Sequence, residues 1–319
     1  MAADTRSTPG SHRRTELRHS AGPALDGMTT FDILTLMNDE DAVAVQAARR
    51  ALVDLAPLVT CAADLIRAGG AVHYFGAGTS GRLGILDASE LRPTFNLPEG
   101  VVVAHIAGGP SAVTDAIEGA EDSWDEGKED ASQLGRGDMA IGLAASGSTP
   151  YVGGALDQAR RLGAATALIA CNPSPELAPL ADVVIVADTG PEVLAGSTRL
   201  KAGTAEKILL NGFSTALMIA LGQTWGGLMV SVVATNEKLV GRTAWILAET
   251  LNVDAETAVA LLASADGDLK AAIVSGRANV GLDQARHALE MSHGSVAAAL
   301  DVALRDGTAA PNPRPQVEN

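Results

Sequence analysis

The chain has 319 residues, which is enough for one large domain and a smaller one. It is 47% hydrophobic but only 3% aromatic, so its core must consist mostly of alanine and aliphatic side chains, as in a globular α/β protein. A net charge of −15 argues against a nucleic-acid or anionic-membrane partner, and an anionic substrate would need locally placed donors.

Cysteine usage and the N-terminus indicate a cytoplasmic protein. Cys61 and Cys171 are the two cysteines; both lie in apolar surroundings without metal-ligand spacing and are expected to be buried free thiols. The N-terminal residues are polar and lack an apolar core, so no signal peptide is expected. Polar residues interrupt the longest apolar stretch, 208–221, which predicts a buried helix rather than a membrane span.

The predicted elements begin after a polar N-terminal segment. Residues 1–14 contain Pro, Gly and Ser and are predicted to be disordered, as is the tail 306–319. Apolar residues at helical spacing over 29–69 predict a helix.

A β–α rhythm follows this helix. Apolar runs with helix-length segments between most of them predict five parallel strands with both faces covered by helices. These runs are 71–75, 101–106, 138–144, 165–171 and 183–187.

The C-terminal part contains an internal repeat. Residues 258–273 match 285–300, and each copy has the pattern of a helix, a glycine-containing turn and a helix. Two copies predict a small helical domain over 241–305, after a main domain over 15–240. A structural cap or dimer arm and a ligand-binding role both remain open for this repeat.

The most informative segment is GAGTSGRLGILDASE, residues 76–90, which follows the first apolar run. Its glycines, Gly78 among them, allow a sharp turn, and Thr79 and Ser80 place hydroxyls at a predicted helix N-terminus. That combination favours a phosphate, with Arg82 as a nearby cation. A dinucleotide is disfavoured because the next strand ends without an acidic residue. A glycine turn used only for packing is the other alternative.

Two further segments repeat this chemistry. ASGSTP, residues 145–150, places Ser146 and Thr149 after a strand, and Ser197 precedes Lys201 in GSTRLK. The hydroxyls are candidate phosphate donors, and ordinary helix N-capping is the alternative. The histidines form neither a zinc-ligand spacing nor a Ser-His-Asp set, so the sequence predicts no metal site.

Several motifs, in order, resemble the N-acetylmuramic acid 6-phosphate etherase family of the sugar isomerase (SIS) fold. The resemblance covers about residues 15–305. Besides residues 76–90, it rests on TELRH (15–19), NDED (38–41), IAGG (106–109), EGAED (118–122), AASGSTPYV (144–152), CNP (171–173), GSTRLKAGTAEK (196–207), VVATNEKL (232–239) and the C-terminal repeat. It implies a three-layer α/β/α SIS fold with a five-stranded parallel sheet, plus a small C-terminal helical domain.

The resemblance also implies a reaction without metal or cofactor. The family removes the D-lactyl ether from N-acetylmuramate 6-phosphate and releases D-lactate and N-acetylglucosamine 6-phosphate. Its two catalytic glutamates fall on Glu90, as the general acid, and Glu121, as the partner base. The residues alone leave a solvated acidic face as the alternative for both.

Two departures from the family pattern stand near these motifs. Ser148 occupies a position where the family more often has arginine, and Leu91 and Arg92 replace a usual Cys-Pro. Other functions of the same fold are a non-catalytic sugar-phosphate regulator, similar to the glucokinase regulatory protein, and an aldose–ketose isomerase. Both glutamates and a single SIS domain favour the etherase. The family resemblance also implies a homodimer whose sites draw on both subunits.

Overall fold

The computed structural model describes residues 13–232 and 237–306. The helix expected over 29–69 is α1, Thr30–Arg67, whose N-terminus is capped by the Thr29 hydroxyl accepting from the Asp32 amide. Residues 1–12, 233–236 and 307–319 lie outside the described residues, together with parts of the predicted terminal segments and of the VVATNEKL motif.

All five predicted strands are confirmed. They are β1 (Val72–Gly76), β2 (Val102–Ile106), β3 (Met139–Leu143), β4 (Ala165–Ala170) and β5 (Val183–Val186). They form one parallel sheet in the order β2-β1-β3-β4-β5. From β1 the chain continues to β2 on one side, and then crosses back to β3 on the other side of β1. Ligands of such sheets bind where the strand order reverses in this way, here between β1 and β3.

Helices cover both faces of this sheet, as the fold class requires. They are α1 and four further helices: α2 (Gly78–Phe95), α3 (Trp124–Asp130), α4 (Pro150–Leu162) and α5 (Lys201–Ala220). Alternation along β1 sends Tyr74 towards Phe213 of α5 and Phe75 into a cluster with Tyr151 and Val152 of α4. The three-layer α/β/α fold is therefore confirmed.

The chain divides into two compact units by its contacts. The first contains the chain up to Ser89 and Glu99–Ser214; the second contains Glu90–Pro98 and the residues from Thr215 onward. The sequence predicts a boundary at residue 240 instead. Residues 215–232 belong with the second unit because Val230 is buried in its core and Trp225 packs against that core.

The second unit contains the predicted repeat. Its helices are α6 (Glu237–Leu251), α7 (Ala255–Ser264), α8 (Leu269–Ala278), α9 (Leu282–Met291) and α10 (Val296–Asp306). The two turns of the repeat match in detail, since Gly267 and Gly294 have φ of +79° and +77°. Leu262 and Leu289, at equivalent positions, are both buried. The helix–turn–helix pattern of each copy is confirmed, because the same apolar spacing covers the same core.

No helix in the part of the chain that the structure describes is long and apolar enough to cross a membrane. The apolar stretch 208–221 lies almost entirely within α5, where Leu209 and Leu217 are fully buried.

Candidate functional site

The strand register brings three polar loops to one edge of the sheet. Gly76 at the end of β1 is paired with Ile106 of β2 and with Leu143 of β3. Because the three strands end at the same level, the segments 77–81, 107–111 and 144–150 leave the sheet side by side. The predicted phosphate donors lie in two of them, 77–81 and 144–150, and the sheet order makes those two neighbours at the reversal between β1 and β3.

A cavity of about 440 Å³ opens between these loops. It lies wholly within the first unit. Its lining residues are Arg13, Glu16, Ala77, Gly78, Thr79, Ser80, Glu121, Asp122, Ala145, Ser146, Ser148, Thr149, Pro150, Gly196 and Thr198. Five of the predicted binding positions and one of the two predicted catalytic glutamates therefore meet at one cavity.

The turn after β1 depends on glycine. The segment is shorter than a conventional loop, because α2 begins at Gly78, where φ is +51°. A Cβ on Gly81 would lie 2.6 Å from the carbonyl oxygen of Gly76 and from the Ile106 side chain. Because the backbone turns this closely, α2 begins at the cavity, which Gly78, Thr79 and Ser80 line. The first amides of α2, which have no partner within the helix, therefore lie at the cavity.

The turn after β3 offers a second helix N-terminus. Pro150 begins α4, as the sequence indicates, but the Thr149 side chain accepts no capping hydrogen bond. The N-capping alternative is therefore not what the structure shows for Thr149. Ser148 donates its hydroxyl to Ser146 Oγ at 3.0 Å, which leaves the Ser146 hydrogen available to a ligand.

Ser80 makes a different contact from the one expected of a phosphate donor. Its hydroxyl lies 2.8 Å from Glu206 Oε2 and 3.1 Å from Oε1, and both side chains are buried. Burial raises the pKa of Glu206 to about 7, although the hydrogen bond from Ser80 lowers it. Sequence reasoning missed Glu206, which lies within the quoted motif GSTRLKAGTAEK but shows no pattern of its own.

Three predicted binding residues do not line this cavity. Arg82 donates to the carbonyl oxygens of Val113 and Asp115 at 2.9 and 3.0 Å, and so ties α2 to the loop after β2. Ser197 is absent from the lining, whereas its neighbours Gly196 and Thr198 are present. Their roles in binding stay predictions.

Lys201, the third of these residues, lines a second cavity of about 190 Å³ with Glu40, Asp41, Glu192 and Thr204. Its ammonium group pairs with Glu40, which also lies 3.1 Å from His19 Nε2. Burial acts to raise the pKa of Glu40, but the hydrogen bonds and charges of Lys201 and His19 outweigh it and lower that pKa. The binding role of Lys201 likewise stays a prediction.

Glu192 explains why the start of α5 differs from the starts of α2 and α4. Its carboxylate accepts the amides of Lys201 and Ala202 at 3.3 and 3.0 Å, so these N–H groups are already occupied. The positive end of α5 is thus neutralised by the protein itself, whereas α2 and α4 present theirs to the cavity.

Arg13 is a cation that sequence reasoning missed. It lines the cavity and pairs with Glu176 at 2.9 Å. The adjacent Arg14 amide lies 3.4 Å from Asn172 Oδ1, and Asn172 donates in turn to the Ser146 carbonyl at 3.2 Å. The available signal was the position of these residues relative to two motifs of the family resemblance. Arg13 lies two residues before TELRH (15–19), and Asn172 lies within CNP (171–173).

The two predicted catalytic glutamates differ in their positions. Glu121 is exposed at the cavity, in the 3₁₀ helix Ala120–Asp122 that precedes α3. Glu90 is exposed on α2, eleven residues after Thr79, which corresponds to about 17 Å along a helix axis. Among the residues that the structure describes, no group of His, Cys, Asp or Glu side chains is placed to hold a metal ion.

The fold is that of the SIS-domain class of α/β proteins. Residues 56–160 match the family model described as the glucokinase regulatory protein N-terminal SIS domain. A phosphoheptose isomerase from Francisella tularensis is similar in structure over 60% of this chain and 98% of its own, with 16% identity and a TM-score of 0.48.

Sequence relatives narrow the class to a family. The N-acetylmuramic acid 6-phosphate etherase of Thermobifida fusca (strain YX) is 52% identical over 260 residues, 82% of this chain and 86% of the relative. That of Yersinia pestis (strain Pestoides F) is 48% identical over 287 residues, 89% of this chain and 97% of the relative. The chain belongs to the N-acetylmuramic acid 6-phosphate etherase family.

Proposed function

We propose that this chain cleaves the D-lactyl ether of N-acetylmuramate 6-phosphate, a carbon–oxygen lyase reaction of amino sugar catabolism and peptidoglycan recycling. The products are N-acetylglucosamine 6-phosphate and D-lactate. The observation that carries the proposal is the 440 Å³ cavity, which combines two phosphate-binding turns with Glu121 at its lining. Family membership supplies the identity of the sugar.

The phosphate is held at the starts of α2 and α4. Hydroxyls of Thr79, Ser80, Ser146 and Thr149 surround the position where backbone amides and two helix dipoles favour an anion. Arg13 adds positive charge against the acidic residues of the same lining. With the phosphate fixed there, the sugar extends towards the carboxylate of Glu121.

The glutamates then act on the opened sugar. Ring opening places an aldehyde beside C2, which makes the C2 proton acidic enough for a carboxylate base, and Glu121 takes that role. Lactate leaves from C3 with a proton from Glu90, and water adds back at C3. Two positioned carboxyl groups can catalyse both steps.

We infer a homodimer because Glu90 is too far along α2 to reach a sugar held at the start of the same helix. About 17 Å of helix separates it from Thr79, longer than one hexose ring with its phosphate. A second copy can supply Glu90 to the cavity. Both cysteines are unpaired; Cys171 is buried as expected, whereas Cys61 is exposed on α1, contrary to the expectation that both are buried. Two free thiols are consistent with a reducing cytoplasm, which is the location that we propose.

Lactate release from N-acetylmuramate 6-phosphate tests the reaction, with Glu90→Ala measured beside the parent. Lactate from the parent alone supports the proposal. No lactate from the parent, with sugar phosphate still bound, contradicts it and favours a regulator. Conversion of a hexose 6-phosphate to its ketose without lactate would indicate an isomerase.

Mixed dimers test the shared site. Glu90→Gln and Glu121→Gln chains are inactive alone, but a dimer containing one of each has one site with both glutamates intact if each site uses both chains. Random pairing then restores about a quarter of the parent rate. Sites built within single chains would show no restoration.

A further inference from the structure

The Ser80–Glu206 pair links the phosphate turn to a buried carboxyl group. Ser80 lies in the first turn of α2 and lines the cavity. Glu206 lies in the second turn of α5, with about 1% of its surface exposed. Since both carboxyl oxygens lie within 3.1 Å of the Ser80 hydroxyl, the proton of that hydroxyl has two competing acceptors: Glu206 on one side and a phosphate on the other.

The surroundings of Glu206 leave its charge uncompensated. Lys201, one turn earlier on α5, is paired with Glu40 on α1, and the adjacent Lys207 is exposed. Cys171, after β4, is a buried thiol whose pKa is raised by burial and by nearby carboxylates, including Glu206. Among the residues that the structure describes, no basic side chain forms an ion pair with Glu206.

The charged side chains Arg82 and Glu192, on neighbouring segments, bind other groups and not Glu206. On α2, the Arg82 guanidinium donates to carbonyl oxygens of the loop after β2. Glu192, ahead of α5, binds backbone amides. Burial raises the pKa of Glu206 to about 7, so the carboxyl group is close to half ionised at neutral pH.

The two protonation states of Glu206 present different groups to the cavity. When Glu206 is ionised, it accepts the Ser80 hydrogen, and the lone pairs of Ser80 face an incoming phosphate oxygen. When Glu206 is protonated, its own O–H can donate to Ser80 Oγ, and the Ser80 hydrogen is free for the phosphate. A buried negative charge behind the phosphate is removed at the same time.

We propose that Glu206 is a positioning residue that takes up a proton when a sugar phosphate binds, and so makes Ser80 a hydrogen-bond donor to the phosphate. This inference rests on the proposed function. The proton comes from solvent, no covalent bond changes, and the complex contains neutral Glu206 hydrogen-bonded to Ser80 and Ser80 hydrogen-bonded to the phosphate.

Calorimetry with the product N-acetylglucosamine 6-phosphate tests the proposal. Titrations at pH 8, in phosphate-free buffers of different ionisation enthalpy, give the number of protons taken up on binding. The sugar phosphate is already a dianion at this pH, since its second pKa is about 6. The parent is expected to take up close to one proton, roughly 0.9 for a carboxyl group with a pKa near 7.

Glu206→Gln is the matched variant, because its amide keeps the shape and can donate to Ser80 as neutral Glu206 would. We expect no pH-linked proton uptake in this variant. Relative to it, the affinity of the parent should fall about tenfold between pH 6 and pH 8. A purely structural role for Glu206 would leave the two pH profiles parallel, which would overturn the proposal.

Asp87→Asn is the control. Asp87 is another buried carboxyl group of raised pKa, due to burial, and its partners Tyr74, Asn211 and Ser214 do not include Ser80. This variant should keep the proton uptake of the parent, and loss of that uptake would count against Glu206 as its source. The parent measurement does not depend on any variant folding: zero uptake at pH 8 overturns the proposal by itself.

The same samples separate this inference from the proposed function. A parent that releases lactate but takes up no proton refutes only the role of Glu206. A parent that neither releases lactate nor binds the product refutes the proposed function, and this inference with it.

Discussion

The crossing of α3 and α4 is so close that a single methyl group should disrupt it. A Cβ on Gly154 of α4 would lie 1.9 Å from the carbonyl oxygen of Trp124, and a Cβ on Gly127 of α3 would lie 1.9 Å from that of Tyr151. Both obstructing atoms belong to the backbone, so no side-chain rotation can relieve the contact. Gly154→Ala must therefore move the helices apart by roughly 1.5 Å to reach ordinary contact distance.

The cost can be estimated from two opposing effects. Overpacking of this kind costs about 3 kcal/mol at the upper end of the usual range, while replacing a helical glycine by alanine returns about 1 kcal/mol. Gly154→Ala should therefore lower the free energy of unfolding by about 2 kcal/mol. Because α3 directly follows the 3₁₀ helix that carries Glu121, the rate of lactate release should also fall.

Gly212→Ala on α5 is the matched control. Its Cβ would lie 3.9 Å from Leu55 Cδ2, an ordinary contact, so this variant should be about 0.5–1 kcal/mol more stable than the parent. Urea unfolding followed by circular dichroism measures both variants. Equal stabilities for Gly154→Ala and Gly212→Ala would refute the inferred backbone contact between α3 and α4.

Three further predictions concern single side chains. Ser80→Ala should weaken binding of the sugar phosphate by about 1.5–3 kcal/mol through loss of a hydrogen bond to a charged group, and unchanged binding in calorimetry would reject its assignment. Lys201→Met should lower the free energy of unfolding by about 1.5–3 kcal/mol because the partly buried Glu40 loses a charged hydrogen-bond partner and keeps only His19, and a raised KM at unchanged stability would instead support a substrate-binding Lys201. Burial, reinforced by the nearby imidazole of His105, lowers the pKa of His73 to about 4. Since the unfolded chain then binds more protons, stability present above pH 6.5 should be lost as the pH falls towards 4, by about 2 kcal/mol after allowance for partial exposure. His73→Phe should flatten this decline in urea midpoints, and an unchanged decline would contradict the reasoning.

The elements and the fold class follow from local sequence patterns. Apolar runs such as 101–106 and 138–144 become strands because continuous aliphatic segments suit a sheet covered on both faces. The glycines of 76–81 and Pro150 fix local turn geometry through backbone sterics alone. The matching turns at Gly267 and Gly294 follow from the same local rules.

Which polar side chains meet depends instead on contacts between elements that are far apart in the chain. Lys201 has the residue type expected of a phosphate ligand, yet it turns to Glu40, some 160 positions away in the chain, because α1 packs beside the start of α5. Ser80 contacts Glu206, and Arg13 reaches the cavity, for the same kind of reason. Local patterns encode backbone conformation and which face is apolar, whereas the partner of a charged or hydroxyl group depends on how distant elements pack.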